Sequence, residues 1–183
     1  MNFRFPEQPG TFLIDFDGTV SLQDVGNGLF RTFTGGDWVQ VVELWKAGEI
    51  SGRECLIREC GFARATYDQV IEFADQQEID PHFASFVQEA RARGWRVRIV
   101  SDGLEVYITR ILSRYGIEVP VEANRLRVVG DRFCPIFPFA GAGCGRCGNC
   151  KQRAVEEARH MGPVVFIGDG MSDRCGAEHA EHV

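Results

Sequence analysis

The sequence predicts an α/β protein: a parallel sheet with helices on both faces, interrupted after its first strand by an all-helical insert. Three observations carry that expectation. A short continuous apolar run at residues 11–15 has the pattern of a strand buried on both faces, and Trp95 to Val100 and Val164 to Ile167 read as further strands. Helical periodicity fills the later stretches between such runs, and strands alternating with helices imply parallel pairing with right-handed crossovers. Between Leu22 and Asp80 the apolar residues recur only at helical spacing, as in Leu29, Phe30 and Phe33, Val39 and Val42, and Val70, Phe73 and Ala74.

The elements follow in order. Residues 11–15 form the first strand. Turn signals at Gly35-Gly36 and Lys46-Ala47-Gly48 divide the insert, residues 22–80, into several short helices. Its aromatic residues Phe30, Phe33, Trp38 and Trp45 are expected in the insert's own core rather than around a substrate. Pro81 opens a helix through Phe83, Phe86, Val87 and Ala90 that stops at Arg93-Gly94, basic residues and then glycine being a good termination signal. Trp95 to Val100 is the second strand, residues 104–115 a helix closed by Gly116, and Val119 to Glu122 the third strand. Leu126–Val129 and Arg132–Phe137 read as a hairpin around Gly130-Asp131. A helix over 151–160, a strand over 164–167 and a helix over 173–181 complete the chain. His182-Val183 resemble the start of a further strand, which suggests a C-terminally truncated sequence with one sheet edge left unpaired.

At 183 residues the chain suits one core, residues 1–21 and 81–183, carrying a small insert. A net charge of −6 without a basic stripe argues against a nucleic-acid partner. No apolar stretch is long enough to cross a bilayer, and Met1 to Pro6 lack the apolar region of a signal peptide, so the expected location is cytoplasmic. Seven cysteines without such a signal then read as reduced thiols or metal ligands. The oligomeric state is left open.

Chemistry concentrates where strands end. Phe12-Leu13-Ile14-Asp15-Phe16-Asp17-Gly18-Thr19 delivers two carboxylates, one residue apart, to the mouth of a buried strand. Such groups are costly to hold together unless a cation or an anionic ligand organises them. Ile99-Val100-Ser101-Asp102-Gly103, Lys151 at a helix start, and Phe166-Ile167-Gly168-Asp169-Gly170-Met171-Ser172-Asp173 supply a hydroxyl, an ammonium and two more carboxylates. Each fragment alone is commonplace; their joint order is not.

In that order the four fragments resemble the motif set of the haloacid dehalogenase-like phosphatases, and the resemblance spans nearly the whole chain. It implies a Rossmann-like core and Mg²⁺-dependent hydrolysis of a small phosphorylated metabolite through an aspartyl phosphate. Asp15 would be the nucleophile and Asp17 the general acid and base. Ser101, the backbone of Asp102 and Gly103, and Lys151 would hold the phosphate. The Asp15 carboxylate, the Asp17 carbonyl and Asp169 would ligate Mg²⁺, with Asp173 beside them. A catalytically dead relative that binds a phosphorylated ligand is the alternative from another class.

A helical insert directly after the first motif is similar to the cap of the phosphoserine phosphatase branch. Asp24 falls where that branch places an acidic residue facing the substrate, and Arg58 is a weaker candidate from the same insert. The run Gly143-Cys144-Gly145-Arg146-Cys147-Gly148-Asn149-Cys150 against Lys151 looks like the phosphatases of methionine salvage that act on 2-hydroxy-3-keto-5-methylthiopentenyl-1-phosphate. It is also similar to phosphoethanolamine and phosphocholine phosphatases. Physically, Cys144, Cys147 and Cys150 could converge on a structural Zn²⁺ with Cys134 as fourth ligand, Cys175 and His160 standing behind it. A [4Fe–4S] cluster, a disulfide and a loop of reduced thiols are the other occupants of that spacing.

Overall fold

The computed structural model describes residues 8–36, 38–141 and 145–183. Five strands form one sheet: β1 (Thr11–Ile14), β2 (Arg96–Leu104), β3 (Val121–Val129), β4 (Arg132–Ile136) and β5 (Val164–Ile167). Their order is β4-β3-β2-β1-β5. β1 pairs in parallel with β2 on one side and β5 on the other, Ile14 lying opposite both Ile99 and Ile167. Only β4 runs antiparallel, against the far half of β3.

The position of β1 decides where a ligand goes. The chain leaves β1 toward β2 and returns to its opposite side only at β5, so β1 marks the point where the winding reverses. In open α/β sheets ligands bind beyond the carboxyl ends of strands at such a point. Asp15 stands there, its N–H donating to the Ile167 carbonyl at 2.8 Å.

Four helices make up the insert: α1 (Val25–Phe33), α2 (Trp38–Lys46), α3 (Gly52–Phe62) and α4 (Tyr67–Asp75). Local sequence starts three of them, because Asp24, Ser51 and Thr66 each accept a hydrogen bond from a backbone N–H of the first turn. Thr66 and Gln69 complete a capping box on α4. The insert leaves and re-enters through a two-stranded neck, where Leu22 N–H donates to Glu78 and Asp80 N–H to Val20. Further backbone bonds tie Arg64 to Phe33 and Ala65 to Asp131 in the β3–β4 turn. The remaining helices are α5 (Phe83–Ala92), α6 (Glu105–Arg114), α7 (Lys151–Arg159) and α8 (Arg174–Ala177), the last entered through a 3₁₀ turn at Met171–Asp173.

Several elements differ from expectation. β2 runs on through Ser101-Asp102-Gly103 to Leu104, with a register shift after Val100 that takes those three residues out of regular pairing. The third strand and the first arm of the hairpin are one strand, because Ala123 and Asn124 are buried in the extended chain and Asn124 is held there by its bond to the Asp102 carbonyl. β3 instead changes partner midway, from β2 to β4. The helix expected over 173–181 is only the four-residue α8 and its preceding turn. His182 pairs in parallel with Val165, so the edge beside β5 carries at least one bridge.

Most of the insert's interior is continuous with the sheet core, and only a small cluster of Val41, Val42 and Cys55 between α2 and α3 stands apart. Leu29, Leu56, Val70 and Ala74 from α1, α3 and α4 are buried in the same apolar cluster as Phe12, Ile14 and Ile99 from the sheet. A smaller cluster on the other face joins Leu13 and Val100 to Ala154, Val155 and Ala158 of α7. Truncating the fully buried Leu29 to Ala is therefore expected to cost about 2–5 kcal/mol of global stability. Urea unfolding followed by tryptophan fluorescence and by far-UV circular dichroism should show one shifted, coincident transition rather than separate melting of the insert.

Candidate active site

Beyond the end of β1 lies a cavity of about 210 Å³ between the sheet edge and the insert. Asp15 sits at its floor, 5% exposed, and its Oδ1 atom lies 3.0 Å from the Lys151 ammonium. Lys151 is 1% exposed and is held on its other side by Asp173 Oδ1 at 2.5 Å. Burial opposes the charge on Lys151, but Asp15, Asp173 and Asp102 outweigh it and hold its pKa above the ordinary lysine value. Burial pushes Asp15 up to about 6 against the pull of Lys151, with the Asp173 charge adding to the rise. Removing either partner would leave an uncompensated buried ion.

Asp17 lines the cavity beside Asp15. Its Oδ1 accepts the N–H groups of Val25 and Gly26 at the start of α1, at 3.0 and 3.2 Å. Its Oδ2 accepts the Tyr107 hydroxyl at 2.8 Å and, more weakly, that of Ser101 at 3.4 Å. Burial, with the Asp24 and Asp15 charges behind it, pushes Asp17 up to about 7. Gly103 makes this arrangement fit, since a Cβ there would lie 2.0 Å from the Tyr107 oxygen.

Ser101, Asp102 and Gly103 also reach the cavity wall. Gly103 N–H donates to Ser101 Oγ at 2.9 Å, and Asp102 is occupied from behind by the Asn149 N–H at 2.7 Å. Asp169 is exposed at the mouth and accepts the Thr19 hydroxyl at 3.1 Å. Oxygens of Asp15, Asp169 and Asp173 lie within 4.8 Å of one another. Among the described residues Asp15 Oδ1 is buried against the Lys151 ammonium alone, which leaves a lone pair for a hard cation. An all-oxygen donor set of this kind fits Mg²⁺.

Two expectations about the insert and one about the cysteines change. Arg58 is turned outward, paired with Glu54 at 2.7 Å one helical turn away, and does not line the cavity. Asp24 does line it, although the same carboxylate also caps α1 through Asn27. Phe30 and Trp45 reach the cavity wall, Phe30 as a buried member of the core against which Phe33 and Trp38 pack. Cys144 lies outside the described residues. Among the described residues no group of cysteines comes together to hold zinc: Cys134 is on β4, and Cys150 is buried at the start of α7 with its N–H donating to Phe139. The backbone of Cys147 is pinned by Arg53, whose guanidinium donates to its carbonyl.

Four site residues were not anticipated. Asn149, fully buried, donates from its side chain to the carbonyls of Ser101 and Glu122, and Asn124 donates to that of Asp102. Together they lock the stretch that leaves regular pairing. Tyr107 stands one turn after the Ser-Asp-Gly run, a spacing that could have flagged it. Glu59 belongs to the apolar stripe Cys55, Leu56, Cys60 of α3, and an acid in such a stripe was the available signal.

Glu59 is 7% exposed, lines the cavity, and among the described residues accepts only the Cys55 thiol, at 3.7 Å. Burial pushes its carboxyl from 4.5 up to about 7; the thiol contact works the other way and the Asp24 charge adds to the rise. The folded state thus holds its proton more tightly than the unfolded chain, so this residue's penalty grows as pH rises from the unfolded value through about 7. Glu59→Gln should stabilise the ligand-free protein at pH 8, by on the order of 1–3 kcal/mol. In differential scanning fluorimetry the gain should be largely gone at pH 4.

Comparison with known proteins agrees with this geometry. A 2-hydroxy-3-keto-5-methylthiopentenyl-1-phosphate phosphatase of Brevibacillus brevis is 29% identical over 177 residues, covering 92% of this chain and 79% of the relative. A HAD family hydrolase from Salmonella enterica serovar Typhi superposes with a TM-score of 0.76 at 19% identity, covering 95% of this chain, which spans 61% of that one. A substrate-bound phosphoserine phosphatase superposes with a TM-score of 0.72 at 17% identity, covering 96% of this chain and 84% of the other. Residues 12–178, and so both the sheet and the insert, match one family throughout, and the chain belongs to the haloacid dehalogenase-like hydrolases.

Proposed function

We propose that the protein hydrolyses the phosphate monoester of a small metabolite through a phosphorylated Asp15. The observation that carries this is the buried Asp15–Lys151–Asp173 array with Asp17 alongside, all at the winding reversal of the sheet. Water attacks a phosphate dianion poorly, and a carboxylate nucleophile divides the barrier into two smaller ones. An Asp15 oxygen attacks phosphorus, the ester P–O bond breaks, and Asp17 passes its proton to the departing oxygen. Water then attacks phosphorus while Asp17 takes its proton, and cleavage of the Asp15–phosphorus link frees phosphate. Lys151 stays charged throughout and offsets negative charge next to the nucleophile. Ser101 and the Gly103 N–H, now bonded to each other, stand ready to turn toward phosphate oxygens. Mg²⁺ held by Asp15, the Asp17 carbonyl and Asp169 would neutralise phosphoryl oxygens.

For the substrate, the enol phosphate named for the Brevibacillus relative is one candidate. A phosphorylated amine, of the phosphoserine, phosphoethanolamine or phosphocholine type, is the second, favoured by the acidic side chains that the insert adds to the cavity.

With p-nitrophenyl phosphate and Mg²⁺, Asp15→Asn should lose at least about 10³-fold in kcat. EDTA should abolish wild-type turnover and excess Mg²⁺ restore it. Equal rates for wild type and Asp15→Asn would end the assignment of Asp15 as nucleophile. Tyr107→Phe tests how Asp17 is oriented. Removing a hydrogen bond to a charged group should cost kcat roughly tenfold on an alkyl phosphate. The loss should be smaller on p-nitrophenyl phosphate, whose leaving group needs little protonation.

A further inference from the structure

The cavity is lopsided in charge. Six acidic side chains line it, and among the described residues no lysine, arginine or histidine does. Asp15, Asp17, Asp102 and Asp169 are accounted for by the phosphoryl end. Glu59 and Asp24 are not, and both come from the insert, the wall that faces the rest of the substrate. Glu59 is the more telling. More than nine-tenths buried, it reaches the cavity with only a weak thiol donor on its carboxylate, and no cation of the protein pairs with it among the described residues. Burying a carboxylate this way is unfavourable unless something charged meets it when the site is filled. Phe30 and Trp45 line the same cavity, and aromatic rings beside a carboxylate suit an organic cation. The nearest arginine in sequence, Arg58, is committed to Glu54 outside, so a substrate carboxylate would find no cation at this wall.

We propose that Glu59 receives the ammonium group of the leaving alcohol, so that the preferred substrate is the phosphate monoester of a small amino alcohol lacking a carboxylate. The inference rests on the phosphatase reading above and narrows it. The alcohol oxygen stays by Asp17 while the positive end lies under the insert, where Glu59 pairs with it and Asp24 adds to the negative potential. An enol phosphate with an uncharged tail would leave the Glu59 carboxylate unpaired.

The experiment compares phosphoethanolamine, phosphoserine and 2-hydroxyethyl phosphate, the last an uncharged near-isostere of the first, with Mg²⁺ and phosphate release as the readout. Phosphoethanolamine should exceed 2-hydroxyethyl phosphate in kcat/KM by at least roughly tenfold, the scale of one charge-assisted hydrogen bond, and should also exceed phosphoserine. In Glu59→Gln the ratio of the amine to the uncharged ester should fall toward one, mainly through KM. A wild-type ratio near or below one overturns the proposal whatever the variant does, as does a ratio that survives Glu59→Gln. If p-nitrophenyl phosphate is also not turned over, the phosphatase reading itself falls. The subsite is then decided by calorimetric binding of the two esters, tighter binding of the amine supporting it and equal binding overturning it.

Discussion

The buried contact of Lys151 with Asp15 and Asp173 is the constraint on which the rest of the structure depends. Ions without water need partners on every side, and here one ammonium lies between two carboxylates with Ser172 3.5 Å away. That need fixes the end of β1, the start of α7 and the turn after β5 relative to one another. It also explains Gly168, where a Cβ would fall 2.4 Å from the Asp173 carboxyl carbon. An apolar replacement of the array could well be tolerated by folding, since buried ion pairs are weak stabilisers. On the proposed mechanism the array has a chemical use, since the Lys151 charge pulls the Asp15 carboxyl toward the ionised form that attack requires.

The cysteine-rich run makes sense in this frame without a metal. Its described residues are held by main-chain and asparagine contacts: Asn149 spans Ser101 and Glu122, and Cys150 N–H meets Phe139. Glu122 is in turn gripped by Arg98 and Arg153, and Arg153 lies over the Phe139 ring. The loop thus transmits the position of β2 and β3 to Lys151. Small residues serve this purpose because space is short: a Cβ on Gly148 would come within 2.7 Å of Asn124.

The sheet, its parallel pairing and the helical insert were legible in the sequence because buried strands and amphipathic helices impose different periods. So was the placement of Asp15, Asp17, Asp24, Lys151, Asp169 and Asp173 around one cleft, since motif order follows strand order. What was hidden depends on geometry that periodicity does not encode. The continuity of β3 turns on an exchange of partners, which no local signal marks. Arg58 and Glu59 are adjacent in sequence but face opposite ways on α3, and only the packed helix decides which enters the cavity. Tyr107 and Asn149 act through distant backbone and carboxylate groups, so their residue types alone gave no indication.

The tethering of the insert has a consequence for how such a protein changes over time. Backbone hydrogen bonds at the neck, and that from Ala65 to Asp131, hold the insert in place without relying on the side chains that face the cavity. Exchanging Trp45 or Glu59 therefore changes the cavity wall while leaving the backbone ties of the insert in place. Selectivity can drift while reactivity is conserved, and duplicated copies of such a chain can diverge toward new metabolites in a few substitutions.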